Sequence, residues 1–226
     1  MSKGVDYVSN LNQYSGEMIE IELTSKKVIN GKLIEYGSDI LVVFNGQKFF
    51  YIPFLHIVSI KKCESNDTNF IAAEQSPIKN EDERMSLTKT LNHAKGIFVE
   101  IYVTGNQTIY GYITSIQDDY FVFYSPAYKT ICISTAHLKW LIPYLNQAPY
   151  DLKEGPVIIS LDVADTFEEQ IKKLEGEVVF FDLGKDPYKI GLIKNVNLKI
   201  IELVYGDGQI IHLNLTHIKS VHKAKI

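Results

Sequence analysis

Residues 19–33 read IEIELTSKKVINGKL, and this stretch decides the fold because its pattern returns twice further along the chain. Its first five residues alternate apolar and acidic side chains, which is typical of a strand that is buried on one face. Two sets of glycines recur at intervals of 80 residues: Gly16, Gly96 and Gly176, and Gly31, Gly111 and Gly191.

Apolar positions recur at the same spacing, so three copies of one unit fill the 226 residues. The period is longer than that of solenoid repeats, and each unit is long enough to hold its own core. We predict a mainly β protein with three tandem small five-stranded Sm-like (SH3-like) barrels, each preceded by a short α-helix. The predicted divisions are residues 1–62 for the first barrel, 63–82 for a linker, 83–144 for the second barrel, 145–162 for a linker and 163–226 for the third barrel.

Each copy has the same predicted order of elements. A short amphipathic helix comes first, and in the third copy Asp165 is expected to cap it, with Glu168 three residues on. The glycine after each helix is expected to end it in a left-handed conformation, and the glycine within the second strand predicts a bulge or bend. Two dipeptides between the third and fourth strands are strong hairpin signals: Asn45-Gly46 and Asp207-Gly208.

A histidine precedes the last strand of every copy, at His56, His137 and His217. The intervals of 81 and 80 residues predict one extra residue in the second copy, at the hairpin tip around residues 125–128. Because a single active site is rarely triplicated, we expect the histidine to have a fold role. Its ring would order the turn before the last strand through a hydrogen bond to the backbone.

Composition limits the class of protein. A net charge of −4 gives no overall attraction to nucleic acid or to anionic lipid. No run of about 18 apolar residues exists, so we expect no membrane insertion, and the N-terminus lacks the apolar region of a secretory signal. The two cysteines, Cys63 and Cys132, form no CxxC pair and suit synthesis in a reducing compartment.

No group of polar residues predicts a catalytic, cofactor-binding or metal site, and we expect no enzyme activity. His212, His217 and His222 lie five residues apart, which is poor spacing for metal ligands. Asp118 and Asp119 are adjacent, so they do not converge on one substrate bond and are expected in a solvated turn. Two further sets are expected to be inert: the turn at 206–208, which precedes no helix, and Ser134, Ser160 and Ser220, which lie in no G-x-S-x-G context.

Several side chains are candidates for surface contacts. Cys63 lies in the first predicted linker, where it is either an inert thiol or a partner in a disulfide between chains once the environment oxidises. Three tyrosines are candidates for contacts or cross-links: Tyr128, Tyr144 and Tyr150. Five lysines are expected to be solvated charges: Lys61, Lys62, Lys219, Lys223 and Lys225.

The ends of the copies carry a family resemblance. They read HIVSI at 56–60, HLKWL at 137–141 and HIKSV at 217–221. With the acidic lead-in DVADTF at 162–167 and the loop TSKKVING at 24–31, they resemble the repeats of the spore coat protein B family of endospore-forming bacilli. The resemblance implies a structural, non-enzymatic protein of the spore outer coat, made in the mother-cell cytoplasm, with other spore coat proteins as partners.

Two classes of function follow from this pattern. In the first, exposed strand edges join the barrels to one another and leave two terminal edges, so we expect self-association into rings or open arrays. The alternative is an RNA-binding Sm-like protein, which needs positive potential and an Arg-Gly loop before the last strand. The chain instead reads PFLH at 53–56, and its acidic balance disfavours nucleic acid.

Overall fold

The computed structural model describes residues 11–63, 75–78, 84–104, 107–144 and 162–224. Over these residues the chain forms fifteen strands, paired antiparallel, and two short α-helices, so the prediction of a mainly β protein is confirmed. The chain divides into two compact units. One consists of Met1–Ala94 with Lys139–Leu145, and the other of Lys95–Leu138 with Asn146–Ile226.

In the first unit, the described strands pair in the order β5-β1-β2-β3-β4-β10. A single α-helix, α1, precedes the second copy's strands in the chain. The bounds are β1 Met18–Leu23, β2 Val28–Tyr36, β3 Ile40–Phe44, β4 Phe49–Pro53, β5 Ile57–Lys62, α1 Leu87–His93 and β10 Trp140–Tyr144.

In the second unit, the described strands pair in the order β14-β13-β12-β11-β15-β9-β8-β7-β6. The bounds are β6 Phe98–Thr104, β7 Gln107–Ile116, β8 Tyr120–Ser125, β9 Lys129–Ser134, α2 Phe167–Lys172, β11 Val178–Phe181, β12 Ile190–Asn197, β13 Ile200–Tyr205, β14 Gln209–Asn214 and β15 Ser220–Lys223.

The described residues form no closed barrel. In the first copy, β1 pairs with both β2 and β5, and the pairing continues through β3 to β4. The order is therefore β5-β1-β2-β3-β4, and the described residues show no pairing that would close β4 onto β5. The outer edge of β4 instead pairs with β10, a strand of the second copy, which explains why the edge is not available for closure.

The second strand of each copy is irregular where the sequence predicts it. The register shifts in all three copies: between Leu33 and Glu35, Ile113 and Ser115, and Ile193 and Asn195. The preceding glycine is required because the third strand passes very close to it. A Cβ atom at Gly191, for example, would lie 2.1 Å from the Val204 carbonyl oxygen.

The glycines after the predicted helices adopt the expected left-handed conformation, with φ of 74° at Gly16, 75° at Gly96 and 82° at Gly176. The predicted cap of α2 is one residue too early. Thr166 is the N-cap, and it forms a capping box with Glu169. In the first copy, residues Asn12–Tyr14 form a 3₁₀ turn, and residues 1–10 lie outside the described part of the chain.

The length difference between the copies lies at the predicted hairpin, but the sequence analysis placed it in the second copy, whereas the first copy is the one that differs. Tyr124 pairs with Thr130 in the second copy, and Val204 pairs with Ile210 in the third. In the first copy the corresponding pair is Phe44 and Phe49, which is one residue shorter. The first hairpin is therefore short, and the second and third share the longer loop.

The strand β1 shows the predicted alternation, since its apolar residues Ile19, Ile21 and Leu23 are buried and its glutamates lie at the surface or half-buried. The strand β3 is different, because all of its five residues are buried. A strand that is buried on both faces needs cover on each side. Both faces of β3 are therefore covered by other parts of the chain.

Candidate functional site

The fourth strand of the second copy pairs with the fifth strand of the third copy. In this junction β15 runs antiparallel to β9, with Val221 opposite Cys132. The Ser134 N–H donates to the Lys219 carbonyl oxygen at 3.0 Å. The free edge of β9 in the second copy thus pairs with a strand of the third copy, which agrees with the prediction that strand edges join the copies to one another.

A hydrophobic cluster crosses the same junction. Tyr120, Val122 and Cys132 of the second copy are buried in it. Burial raises the pKa of the Cys132 thiol to about 12, which makes this cysteine a packing residue and a poor nucleophile. The buried members from the third copy are Phe167, Ile171, Val179, Phe181, Ile193, Val196, Ile201, Leu203, Leu215, Ile218 and Val221.

A polar network lies inside this cluster. The Tyr120 hydroxyl donates to the Ala164 carbonyl oxygen at 2.7 Å and lies 3.0 Å from Gln170 Oε1. That oxygen also accepts from the Ala164 N–H at 2.9 Å. Burial raises the pKa of Tyr120 well above its usual value. The hydroxyl is therefore protonated at neutral pH and ties the segment before α2 to β8.

An aspartate caps the helix at each of the two junctions. The Asp119 carboxylate accepts from the Phe167 N–H at 2.7 Å, and Asp39 accepts from the Leu87 N–H at 2.8 Å. The predicted position of Asp119 in an exposed turn is confirmed, but its capping role was missed. The 80-residue interval between the two aspartates was the signal. Lys199 stands at the matching position of the third copy.

In the first unit, β10 pairs with β4 in the corresponding way. Leu141 lies opposite Tyr51, and the rings of Trp140 and Phe50 meet edge to face with centroids 6.0 Å apart. Burial raises the pKa of the Tyr51 hydroxyl to about 12, and this hydroxyl accepts from the Ile78 N–H at 2.9 Å. Part of the predicted linker 63–82 is therefore packed against the first unit.

The three matched histidines share a backbone position but not a ring role. Each ends a 3₁₀ turn, Phe54–His56, Thr135–His137 or Leu215–His217. Lys139 Nζ donates to His56 Nδ1 at 2.8 Å, and His137 Nε2 lies 3.1 Å from the Thr216 carbonyl oxygen. The His137 bond is to a backbone oxygen, as predicted, but that oxygen lies in the turn of the next copy, and the bond between His56 and Lys139 joins two side chains.

The other two candidate histidines, His212 and His222, lie in surroundings that do not suit metal ligands. His212 is exposed on β14, whereas the His222 ring stacks on Phe180 with centroids 5.0 Å apart. Burial lowers the pKa of His222. Within the described ranges, no group of three His, Cys, Asp or Glu side chains is placed to hold a metal ion.

The remaining serine and glycine candidates occupy structural positions. Ser134 and Ser220 are buried, and Ser160 lies outside the described residues. The turn at 206–208 joins β13 to β14, and the Gly208 N–H donates to the Tyr205 carbonyl oxygen at 3.0 Å. The predicted hairpin is therefore confirmed at this turn.

The candidate surface residues have varied surroundings. Cys63 is half-buried, and burial raises the pKa of its thiol. The Tyr128 ring lies 5.9 Å from the His222 ring, and Lys48 Nζ lies 5.5 Å from the Tyr144 ring centroid. Tyr150 and Lys225 fall outside the part of the chain that the structure describes.

Three of the predicted solvated lysines form exposed ion pairs. Lys61 pairs with Glu20 at 2.9 Å, Lys62 with Glu17 at 3.4 Å and Lys223 with Glu177 at 2.7 Å. Such exposed pairs contribute little to stability. Their effect here is to neutralise charge along the strands β1, β5, β11 and β15.

A groove with both polar and apolar lining residues lies beside β5. It has a volume of about 570 Å³, and it lies between the 3₁₀ turn at Asn12–Tyr14 and the strand. Its main apolar lining residues are Leu11, Tyr14, Phe54, Ile57, Val58 and Ile60. The sequence analysis did not predict this groove.

The helices of the described chain are too short or too polar to span a bilayer. Comparison with known proteins gives two matches. The family model for the YwrJ third domain matches residues 166–221, which begin at the cap of α2 and reach into β15. Over 223 residues, 95% of this chain, the sequence is 41% identical to the "Uncharacterized protein YwrJ" of Bacillus subtilis (strain 168), of which it covers 99%. Neither match confirms the resemblance to spore coat protein B. The chain belongs to the YwrJ family.

Proposed function

We propose that the protein is a structural, non-enzymatic component of the spore outer coat that assembles through protein–protein contacts of three tandem Sm-like modules. The observation that carries the proposal is the junction of β9 with β15. There a strand edge becomes an interface through main-chain hydrogen bonds and a shared apolar core. Strand addition of this kind is a recurring mode of recognition between chains.

Local geometry supports three equivalent modules. The first and third copies have the same strand order, β5-β1-β2-β3-β4 and β15-β11-β12-β13-β14. In every copy the N–H of the glycine after the helix donates to the second strand. The three bonds are Gly16 to Leu33 at 2.9 Å, Gly96 to Ile113 at 3.3 Å and Gly176 to Ile193 at 2.7 Å.

The location in the spore coat is supported by sequence. The endings at 56–60, 137–141 and 217–221 resemble the repeats of a coat protein family of bacilli, and the relative at 41% identity comes from a Bacillus species. On this proposal the protein is made in the mother-cell cytoplasm and is then deposited on the spore surface, where other coat proteins are its neighbours.

A fluorescent fusion followed through sporulation tests the proposal. We expect the signal to appear during sporulation and to form a shell around the developing spore. The matched control is the fluorescent protein alone, expressed from the same promoter. Diffuse signal in growing cells, with no enrichment at the spore, would count against a coat function.

The alternative of an RNA-binding Sm-like protein makes a different prediction. It requires that micromolar protein retard RNA in a gel and that added salt weaken the effect. We expect no such shift, because the net charge of −4 gives no overall attraction to phosphates. A salt-dependent shift would favour the alternative over the coat proposal.

A further inference from the structure

We infer that the chain assembles with a second molecule of the same chain. In this contact, β14 of one molecule pairs with β5 of the next in the register that joins β9 to β15. The inference rests on the proposed function, since it identifies one partner for the strand edges. The argument draws on the two edge strands, on the groove beside β5 and on the register of the junction within the chain.

Both strands have one unused edge in the described structure. β14 pairs with β13, β5 pairs with β1, and no second partner strand is found for either within the described residues. The sequence of β14, QIIHLN, contains no proline, lysine or acidic residue. Natural edge strands usually carry such residues to prevent pairing, so β14 lacks the protection expected of a strand that stays solvated. On β5, the charge of Lys61 is balanced by Glu20.

Matched positions change from buried at the junctions to exposed at the free edges. Trp140 on β10 and Ser220 on β15 are buried, whereas Ser59, at the same position of β5, is exposed. Likewise Cys132 on β9 is buried, whereas His212, at the same position of β14, is exposed. Residues on the free edges of β5 and β14 therefore match residues that are buried wherever a strand of another copy pairs alongside.

The groove beside β5 matches a surface that is filled in the third copy. Its residues Leu11, Tyr14, Ile57 and Ile60 correspond to four residues that line the cluster at the junction of β9 and β15. Those four are Ile171, Leu174, Ile218 and Val221. In the third copy this surface packs against Tyr120, Val122 and Cys132 of the preceding copy. In the first copy, the described residues place no strand of another copy against this surface, which forms the groove.

The outer face of the third copy offers the corresponding residues. Ile200 stands at the position of Tyr120 and is 39% exposed, and Ile210 on β14 is 48% exposed. Glu202 replaces Val122 but is paired with Lys194 at 2.7 Å. Lys199 stands where Asp39 and Asp119 cap helices. This face is more polar than the faces that are joined within one chain. We therefore expect the contact between two molecules to be reversible and weaker than the junctions within one chain.

The register follows from the junction inside the chain. Ser220 lies opposite Ile133, and the matching residues of the two free strands are Ser59 and Leu213. Because Ser134 N–H, one residue beyond Ile133, donates to the Lys219 carbonyl oxygen, this is a non-hydrogen-bonded pair, in which side chains lie closest. A head-to-tail contact of this kind produces a ring if the rotation closes and a filament if it does not.

Two chains with one accessible cysteine each test the register: both carry Cys63→Ser to remove the half-buried thiol, and both keep Cys132, which is buried. One chain carries Ser59→Cys and the other Leu213→Cys. On mild oxidation of the mixture we expect a covalent heterodimer, several-fold more abundant than either homodimer. The matched control replaces Leu213→Cys by Gln209→Cys, which lies on the same face of β14 but four residues, about 13 Å, further along. Equal cross-linking with both partners, or dominance of homodimers, would overturn the inference.

Light scattering provides a readout that does not depend on a change in the packed Leu213. We expect the mass of the unmodified chain to rise with concentration and the Ser59→Lys variant to stay a monomer, because an ammonium group would be buried at the contact. Ser59 is exposed in the single chain, and its hydroxyl makes only one long bond, 3.4 Å to Glu22 Oε2, so we expect this variant to fold. A strict monomer at high concentration would exclude pairing between molecules of the chain. If the fusion still surrounds the spore in that case, the coat proposal stands with a different partner.

Discussion

The Asp119 carboxylate accepts a hydrogen bond from the Phe167 backbone N–H at 2.7 Å, so a turn of the second copy caps the helix of the third. That N–H has no partner within α2, because the first turn of a helix leaves its N–H groups unsatisfied. The negative charge also lies at the positive end of the helix. One side chain thereby fixes both the start of α2 and its docking against β8.

We predict that Asp119→Ala lowers the free energy of unfolding by about 1 kcal/mol, the usual cost of losing a helix cap. Urea denaturation followed by circular dichroism measures the change. The matched control is Asp118→Ala, which removes an adjacent exposed carboxylate and is expected to alter stability by less than about 0.5 kcal/mol. Equal losses in the two variants would show that the carboxylate of Asp119 is not a cap.

Features that depend on local sterics were predictable from the sequence. Gly191 is required because the carbonyl oxygen of Val204 occupies the space of a Cβ atom, and such a requirement is visible as a glycine within a strand. The cap of α2 was placed one residue early, since Asp165 and Thr166 are both good capping residues. The structure distinguishes them by the capping box that Thr166 forms with Glu169.

Features that depend on distant partners were not predictable. A fourth strand has the same alternation whether it closes onto its own fifth strand or pairs with that of a neighbouring copy, so the pattern of β9 cannot distinguish a closed barrel from a junction. The 80-residue interval between Asp39 and Asp119 shows that the two turns are equivalent, but it does not identify the helix start that Asp119 caps, since Phe167 lies 48 residues further along the chain.

We predict that Tyr120→Phe destabilises the second unit. The variant keeps the ring in the cluster but removes the hydroxyl that donates to the Ala164 carbonyl oxygen. A buried acceptor left without its donor costs about 1–3 kcal/mol. Thermal or urea unfolding measures this loss. Tyr188→Phe is the control, because Tyr188 is 54% exposed and its hydroxyl remains in water; a similar loss there would contradict the role of the buried network.

We predict that Gly191→Ala is more damaging than Gly176→Ala. The new Cβ at position 191 would lie 2.1 Å from the Val204 carbonyl oxygen, so β12 and β13 must separate. The expected cost is about 3 kcal/mol, the upper end for an overpacked site. At Gly176 the surrounding space is open and only the positive φ of 82° is penalised, by about 1–2 kcal/mol. The reverse order in denaturation midpoints would refute the close approach of the strands.

We predict that one of the two thiols reacts in the native protein. Cys63 is half-buried, whereas Cys132 is buried with its pKa raised to about 12. Since the thiolate is the reactive form, a thiol reagent at pH 8 should label Cys63 first and Cys132 only after denaturant is added. Cys63→Ser should abolish the native-state reaction. Rapid labelling of two thiols per folded chain would mean that the core around Cys132 opens readily.

We predict that the free energy of unfolding falls as the pH drops below about 6.5, in part because of His222. Its ring stacks on Phe180, and burial lowers its pKa from the usual 6.5. Above pH 6.5 the ring is neutral in both the folded and the unfolded chain. Below it the unfolded chain binds the proton first, so stability is lost until the pH passes the folded-state pKa.

The variant His222→Phe isolates this contribution, because phenylalanine retains the aromatic stack and cannot bind a proton. Urea denaturation at pH 7.5 and pH 5.0 should show a smaller loss of stability on acidification for His222→Phe than for the unmodified chain. His212→Phe, which changes an exposed histidine on β14, is expected to retain the loss. If His222→Phe and the unmodified chain lose the same stability between the two pH values, burial of the His222 ring does not contribute to the pH dependence.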